Sequence, residues 1–333
     1  MTVRFGVIGA GRIGKVHAAT IARNPKAKLA YIADAIPKAA QDLAAQHGAK
    51  VASVDEIMHA ADVDAVLIGS PTGFHAEQIQ AASKAGKAIM CEKPVSLSVE
   101  TIHATLEVVE ANKSILMIGF NRRFDPNFAE AQRRIRRGDI GAIEMITVIS
   151  RDPAPPPAEY VKGSGGIFRD MMIHDFDLAR FLMGEEFVVV HALGSALVDK
   201  AIGEAGDVDT AAVQMQTASG RIAVITNSRR ATYGYDQRLE VHGSKGMIHA
   251  KNVHNTTVEV LDGTGYRADP IQNFFLERYG AAYANELDTF IAAVESGNRD
   301  PRPNGFDGLQ AQKLAEAATQ SCKTGQPVKV SGG

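Results

Sequence analysis

The stretch Val3-Arg4-Phe5-Gly6-Val7-Ile8-Gly9-Ala10-Gly11-Arg12-Ile13-Gly14 decides how the rest of this chain is read. A short apolar run ends in three glycines spaced G-x-G-x-x-G, and a helical pattern follows over Ile13–Arg23. A strand that turns directly into a helix uses the first glycine for the tight turn. The second lets a pyrophosphate approach, and the third allows close helix–strand packing. Phosphate charge then meets the free N–H groups at the helix start. Gly9, Gly11, Arg12, Ile13 and Gly14 are therefore candidate cofactor contacts. Asp34 closes the second apolar run, twenty residues after Gly14, where a carboxylate accepting from ribose hydroxyls belongs. It would repel a 2′-phosphate, and Ala35-Ile36-Pro37 brings no arginine to compensate, so NAD is expected over NADP. Two other readings stay open: a glycine turn made for packing alone, and Asp34 as a helix cap.

Outward from this stretch, strands are expected at Val3–Ile8, Lys28–Ala33, Ala65–Ile68, Ala88–Cys91 and Leu116–Gly119. Helices are expected between them at Ile13–Arg23, Pro37–His47, Val54–His59, His75–Ala85 and Val99–Asn112. The strand runs are continuously apolar, as when helices cover both faces of a parallel sheet. After Phe120 the texture changes. A helix over Phe128–Arg137 gives way to period-2 segments at Glu144–Ile149, Ala211–Thr217, Arg221–Ser228, Gln237–Val241 and Thr257–Leu261, with helices near Asn285–Glu295 and Gly308–Thr319. The prolines of Asp152–Pro157 exclude helix and central strand there. The expected fold class is α/β: a Rossmann-type, doubly wound parallel sheet over 1–121, then an α+β domain over 122–333 on a large, mostly antiparallel open sheet.

The 333 residues are 45% hydrophobic and 22% charged, which excludes a disordered chain and leaves room for two cores. With 36 basic and 38 acidic residues there is no electrostatic footprint for nucleic acid or an anionic membrane. No apolar run approaches the roughly 18–20 residues that span a bilayer. The opening residues are too short and glycine-interrupted for a signal-peptide core. Two distant cysteines, Cys91 and Cys322, make no disulfide framework and fit a reducing compartment, so a cytoplasmic protein is expected.

Later strand ends bring further polar groups to the edge where such sheets bind ligands. Ser70, Thr72 and His75 follow one strand; Glu92, Lys93 and Pro94 follow another. A lysine between a buried strand and a proline is held firmly enough to steady a developing alkoxide, or to bridge nicotinamide ribose and substrate. A solvated Glu92–Lys93 pair is the plainer reading. In the second half, Gly165-Gly166 precedes Asp170 and His174, which share a face if the segment is one helix. Such an acid can orient a histidine base, although a dipole-favoured carboxylate beside a structural histidine fits too. With neither a histidine at i+4 nor a nearby cysteine, no metal is expected. Asn121, Arg122, Asp152, Tyr233 and Tyr279 are lighter candidates for polyol hydroxyls, with interdomain pairing or packing as the alternatives.

Taken together, Gly9–Gly14, Glu92-Lys93-Pro94 and Gly165-Gly166…Asp170…His174-Asp175 make the chain resemble the glucose–fructose oxidoreductase / inositol dehydrogenase / rhizopine-catabolism family over nearly its whole length. Within it, Ser150–Pro156, Ile173–Asp177 and Tyr233–Arg238 look most like the inositol dehydrogenases. The resemblance implies Lys93, Asp170 and His174 as a catalytic trio, His174 also meeting substrate, and NAD as cofactor. It further implies a homotetramer that pairs its open sheets. The implied reaction is oxidation of a ring hydroxyl of a cyclic polyol, first of all myo-inositol to its 2-keto product. The alternatives are scyllo-inositol or an aldose as substrate, or an NAD-binding sensor without turnover.

Overall fold

In the computed structural model, which describes residues 2–330, the early apolar runs become a parallel sheet of six strands. The chain runs β1 (Val3–Ile8), α1 (Arg12–Arg23), β2 (Ala27–Ala33), α2 (Pro37–His47), β3 (Lys50–Val51) and α3 (Val54–His59). It continues through β4 (Ala65–Ile68), α4 (His75–Lys84), β5 (Ala88–Glu92), α5 (Val99–Ala111) and β6 (Leu116–Gly119). Spatial order is β3-β2-β1-β4-β5-β6, all parallel, so the direction of winding reverses between β1 and β4. Ligands of such sheets sit at that switch point, outside the carboxyl ends of the strands. Every residue of β4 and β5 is buried, which is why their sequences lack alternation. Local chemistry sets the helix ends. Pro37 opens α2 and Gly48, at φ 67°, closes it; Ser53 and Glu56 form a reciprocal capping box on α3.

Then come α6 (Pro126–Arg137), β7 (Ile143–Arg151), α7 (Ala158–Ser164), α8 (Ile167–Asp170), α9 (Ile173–Met183), β8 (Phe187–Ser195) and α10 (Lys200–Glu204). They are followed by β9 (Thr210–Thr217), β10 (Ile222–Ser228), β11 (Asp236–Gly243), β12 (Gly246–Ala250) and the hairpin β13 (Glu259–Asp262) and β14 (Gly265–Ala268). The last elements are α11 (Phe275–Arg278), α12 (Gly280–Ser296), α13 (Gly305–Thr324) and β15 (Val328–Lys329). Seven strands form one sheet in the order β12-β11-β7-β10-β9-β8-β15, antiparallel except for β10 beside β7. Strict alternation of buried and exposed residues along β9 marks one covered and one open face.

Two compact units result. One is the chain up to Phe124 with Ala281–Gln312; the other is Asp125–Gly280 with the chain from Lys313 onward. The expected division at 121/122 therefore misses a return. Leu287, Phe290 and Ile291 of α12 complete the core built from Val3, Phe5, Val7, Ile21, Leu67 and Met90. A second correction concerns Asp170 and His174, which do not lie on one continuous helix. Asp170 ends α8, Met171 and Met172 intervene, and His174 is in the first turn of α9. Among the described residues, no helix is long and apolar enough to cross a membrane.

Candidate active site

The β1–α1 turn is shaped as its sequence demands. Gly9 has φ +104°, and a Cβ there would come within 2.5 Å of the Gly69 carbonyl oxygen after β4. A Cβ at Gly14 would lie 1.9 Å from the Gly9 carbonyl oxygen, so helix and turn touch backbone to backbone. At Gly11 a Cβ would meet nothing within 4 Å. Two glycines are thus closed against protein while the middle one faces open space, and no side chain caps the N-terminus of α1 there. That is the cradle a dinucleotide pyrophosphate requires. Asp34 stands at the end of β2 and accepts from the Ala10 N–H at 2.6 Å and the Ile36 N–H at 2.8 Å. Each carboxylate oxygen keeps a lone pair for a ribose hydroxyl. The residues present fit NAD.

The turns after β4 and β5 are tied together by His75. Its Nδ1 lies 2.8 Å from the Pro94 carbonyl oxygen and its Nε2 2.7 Å from that of Ser70. The ring is 2% exposed, and burial holds its pKa below the usual histidine value. This corrects one expectation: both ring nitrogens face backbone, so His75 braces two cofactor-side turns instead of reaching a ligand. Ser70 gives its hydroxyl to Gln78 at 2.6 Å, and Thr72 begins a short 3-10 turn. Glu92 also turns inward, 9% exposed, with Oε1 2.6 Å from Nε2 of His17. Lys93 is half-buried and its bond to Pro94 is cis.

In the second unit, Gly165 and Gly166 both adopt positive φ, and a Cβ at Gly166 would meet Asp207 Oδ1 at 2.6 Å. Asp207 accepts from the Ile167 N–H at 3.1 and 3.0 Å and so anchors the start of α8. Asp170, at the other end, accepts from the Tyr160 hydroxyl at 2.9 Å and from Arg229 at 3.3–3.4 Å. Arg229 follows β10 and is 2% exposed. The Asp152 N–H donates to the neighbouring Ser228 carbonyl at 2.9 Å, which brings the ends of β7 and β10 together beside Asp170. His174 is half-buried in α9, while Asp175 is fully enclosed and accepts from Asn227 at 2.9 Å.

The family's NAD-binding Rossmann-fold model matches residues 3–120, and its C-terminal alpha/beta model matches 132–330. The chain belongs to this oxidoreductase family. Among full-length relatives, the inositol 2-dehydrogenase of Rhizobium meliloti (strain 1021) is 55% identical over 321 residues, 96% of this chain and 97% of that one. The myo-inositol 2-dehydrogenase of Thermotoga maritima is 47% identical over 98% of both chains. The crystal structure of scyllo-inositol dehydrogenase from Lactobacillus casei, with NAD(H) and scyllo-inositol bound, superposes at TM-score 0.93 with 34% identity over 100% of both chains.

For this member of the family, other expectations meet a less open structure. Tyr279 is 1% exposed and gives its hydroxyl to Gln237 at 3.1 Å, so it belongs to the core and not to a substrate surface. Tyr233 is 53% exposed, but its hydroxyl donates to Asp236 at 2.7 Å and accepts from Arg151 at 2.8 Å. Asn121 and Arg122 are buried in a 3-10 turn at 4% each. Arg123 pairs with Asp307 at 2.9 Å within its own unit. No three His, Cys, Asp or Glu side chains gather as a metal would need among the described residues. Sequence reasoning missed Tyr160, Arg229 and His17, whose partners are ten, 59 and 75 residues away. His17 alone left a trace, three residues past Gly14 on the face of α1 that Gly14 and Ile21 also bury.

Proposed function

We propose that this protein oxidises one ring hydroxyl of a cyclic polyol with NAD, with myo-inositol, yielding its 2-keto product, as the preferred substrate. The observation that carries this reading is end-to-end similarity to relatives named for inositol oxidation in a chain that keeps Lys93, Asp170 and His174. His174 takes the hydroxyl proton as general base. Asp170, steadied by Tyr160 and Arg229, orients the imidazole and balances the charge it gains. Lys93 stabilises the alkoxide that develops on the substrate oxygen. NAD, when held by Gly9–Gly14 and Asp34, supplies the acceptor for the two electrons lost from carbon. Asp152, beside the ends of β7 and β10, is the best placed of the lighter candidates to accept from a second hydroxyl. Asn121 and Arg122 have only their exposed edges to offer.

The same reading includes a homotetramer in the cytoplasm. Met247, His242, Met145, Ile222 and Gln216 are successive cross-strand partners across β12, β11, β7, β10 and β9, so they share one face of the seven-stranded sheet. Met145, Ile222 and Met247 are 40%, 41% and 51% exposed, an apolar row that a second copy would cover. Both thiols, Cys91 and Cys322, are free, which suits a reducing compartment.

The deciding assay is NADH formation across a panel of inositol isomers and aldoses, with NADP in parallel. Reduction of NAD with myo-inositol is expected, with NADP far poorer. Turnover with another polyol alone moves the substrate and keeps the mechanism. NAD binding without turnover across the panel replaces the enzyme with a sensor.

A further inference from the structure

The proposed base stands just past the join between two helices, and the backbone there is loosely held. α8 ends at Asp170, α9 begins at Ile173, and Met171 and Met172 lie between. No side chain caps the N-terminus of α9. The His174 N–H reaches the Met171 carbonyl oxygen at 3.4 Å, whereas those of Asp170, Met171, Met172 and Asp175 have acceptors at 2.8–3.0 Å. Within this run the hydrogen bond is therefore weakest at the residue assigned to take the proton.

A single strand end grips both sides of this join. Asn227 and Arg229, two apart at the end of β10, are each 2% exposed and continue the buried alternation of that strand, so they share its covered face. The Asn227 amide nitrogen donates to Asp175 Oδ2 at 2.9 Å, on the α9 side. The Arg229 guanidinium donates to Asp170 Oδ2 at 3.3 and 3.4 Å, on the α8 side. Asp170 and Asp175 bracket His174 in the chain. The grip is itself anchored. Asn227 pairs with Ser150 of β7 and Ala211 of β9, and the Arg229 N–H donates to the Asp209 carbonyl oxygen at 2.8 Å. The Asp209 carboxylate accepts in turn from the Leu197, Val198 and Asp199 N–H groups. Among the described residues Asp170 is the one carboxylate paired with Arg229. A guanidinium so enclosed keeps that carboxylate close, because moving it away leaves a buried charge unmet.

We propose that Arg229 and Asn227 are positioning residues for the reaction: the end of β10 clamps the two acids that bracket His174 and so fixes where the imidazole stands relative to Asp170. The inference rests on the reading of His174 as base with Asp170 as its support, and it adds what keeps the two in register across the break between α8 and α9.

The test is a double-mutant cycle in kcat, with hydrogen exchange of the same full-length proteins read by mass spectrometry. Arg229→Met is expected to lower kcat by about tenfold or more, as a misplaced group does, with KM within about twofold of wild type. Arg229→Lys, which keeps one charged donor, recovers most of the loss. In an Asp170→Asn background, Arg229→Met changes kcat by less than about twofold, because Arg229 acts through Asp170. Asn227→Ala lowers kcat as well, and in both Arg229→Met and Asn227→Ala the amides of residues 170–175 exchange faster, more so than the rest of their unit. Arg229→Gln, a neutral donor, closes the same cycle where Arg229→Met does not fold. Wild-type kcat in Arg229→Met, an equal loss with and without the Asp170 carboxylate, or unchanged exchange at the join overturns the proposal. Exchange needs no substrate, so it decides on the clamp even where the wild type turns over no polyol, a result that overturns the dehydrogenase reading instead.

Discussion

Each compact unit encloses a carboxylate completely, and the two are handled in opposite ways. Glu286 in the first and Asp236 in the second are both 0% exposed. Asp236 accepts from Arg238 at 2.7 and 2.9 Å, from the Tyr233 hydroxyl at 2.7 Å and from the Asn252 amide at 2.8 Å. Burial acts to raise its pKa, but these donors outweigh it and bring the group down to about 2. Glu286 meets no donor and is pushed the other way. Both side chains are shut off from solvent, and the donors around Asp236 are what reverse the direction there. Asp209 follows the second pattern: it is fully buried, yet held below its usual range by the Leu197, Val198 and Asp199 N–H groups and the Thr210 hydroxyl. The candidate catalytic groups divide likewise. Asp170 has Tyr160 and Arg229 around it, whereas Lys93 follows a Glu92 that has one histidine donor.

The largest expected effect asks whether both units contribute to one reaction. Lys93→Ala and His174→Ala should each lower kcat by about 10²–10⁴-fold, the usual worth of a positioned acid–base or charge-stabilising group. Calorimetric titration should show NAD affinity within a few-fold of wild type, because neither residue builds the glycine cradle. Near-normal turnover in either variant breaks the parallel between the two sites.

A medium effect sharpens the contrast between the enclosed acids. The folded-state pKa of Asp236 lies below its ordinary 3.8, so its contribution is fully present above that value and is lost as pH falls toward about 2. Asp236→Asn should therefore cost about 1–2 kcal/mol at pH 7, after allowance for screening, and nearly nothing at the acid end. Glu286 has the reverse sign. Its raised pKa favours folding below the ordinary 4.5, and the favour is lost as pH rises. Glu286→Gln should thus gain stability relative to wild type between pH 5 and pH 8, as followed by urea unfolding. A loss at pH 8 would mean that the carboxyl has a donor after all.

Much of this was legible in the sequence, for a physical reason. Strands buried on both faces write themselves as continuous apolar runs, so β1, β2, β4, β5 and β6 lie within a residue of expectation. The two-residue β3 carries too little pattern to be seen. Nothing periodic distinguishes α12 from any other half-apolar helix, so its return to the first core was hidden until Leu287, Phe290 and Ile291 were seen packed there. The i to i+4 argument put Asp170 and His174 on one helix, whereas two methionines with helical dihedrals separate α8 from α9. Motifs named the polar groups; their partners His17, Arg229 and Tyr160 arise from pairings that a local reading does not contain.

Tyr279 supplies the smallest effect and the cleanest separation of packing from chemistry. From sequence it was a candidate for a polyol hydroxyl; in the fold its ring meets Tyr235 edge-on at 5.9 Å and lies under the Arg278 guanidinium at 4.9 Å. Arg278 is in turn paired with the N-cap of α6, Asp125. Tyr279→Phe removes the 3.1 Å hydrogen bond to Gln237, whose Oε1 also accepts from Ser150. The expected cost is about 1 kcal/mol or less, since Gln237 keeps a donor and the aromatic packing stays. The KM for the polyol should not move. Tyr233 tests the converse at an exposed position, where its hydroxyl links Arg151 to Asp236. A rise in KM with Tyr279→Phe and none with Tyr233→Phe would place substrate against the buried tyrosine and invert the assignment made from burial.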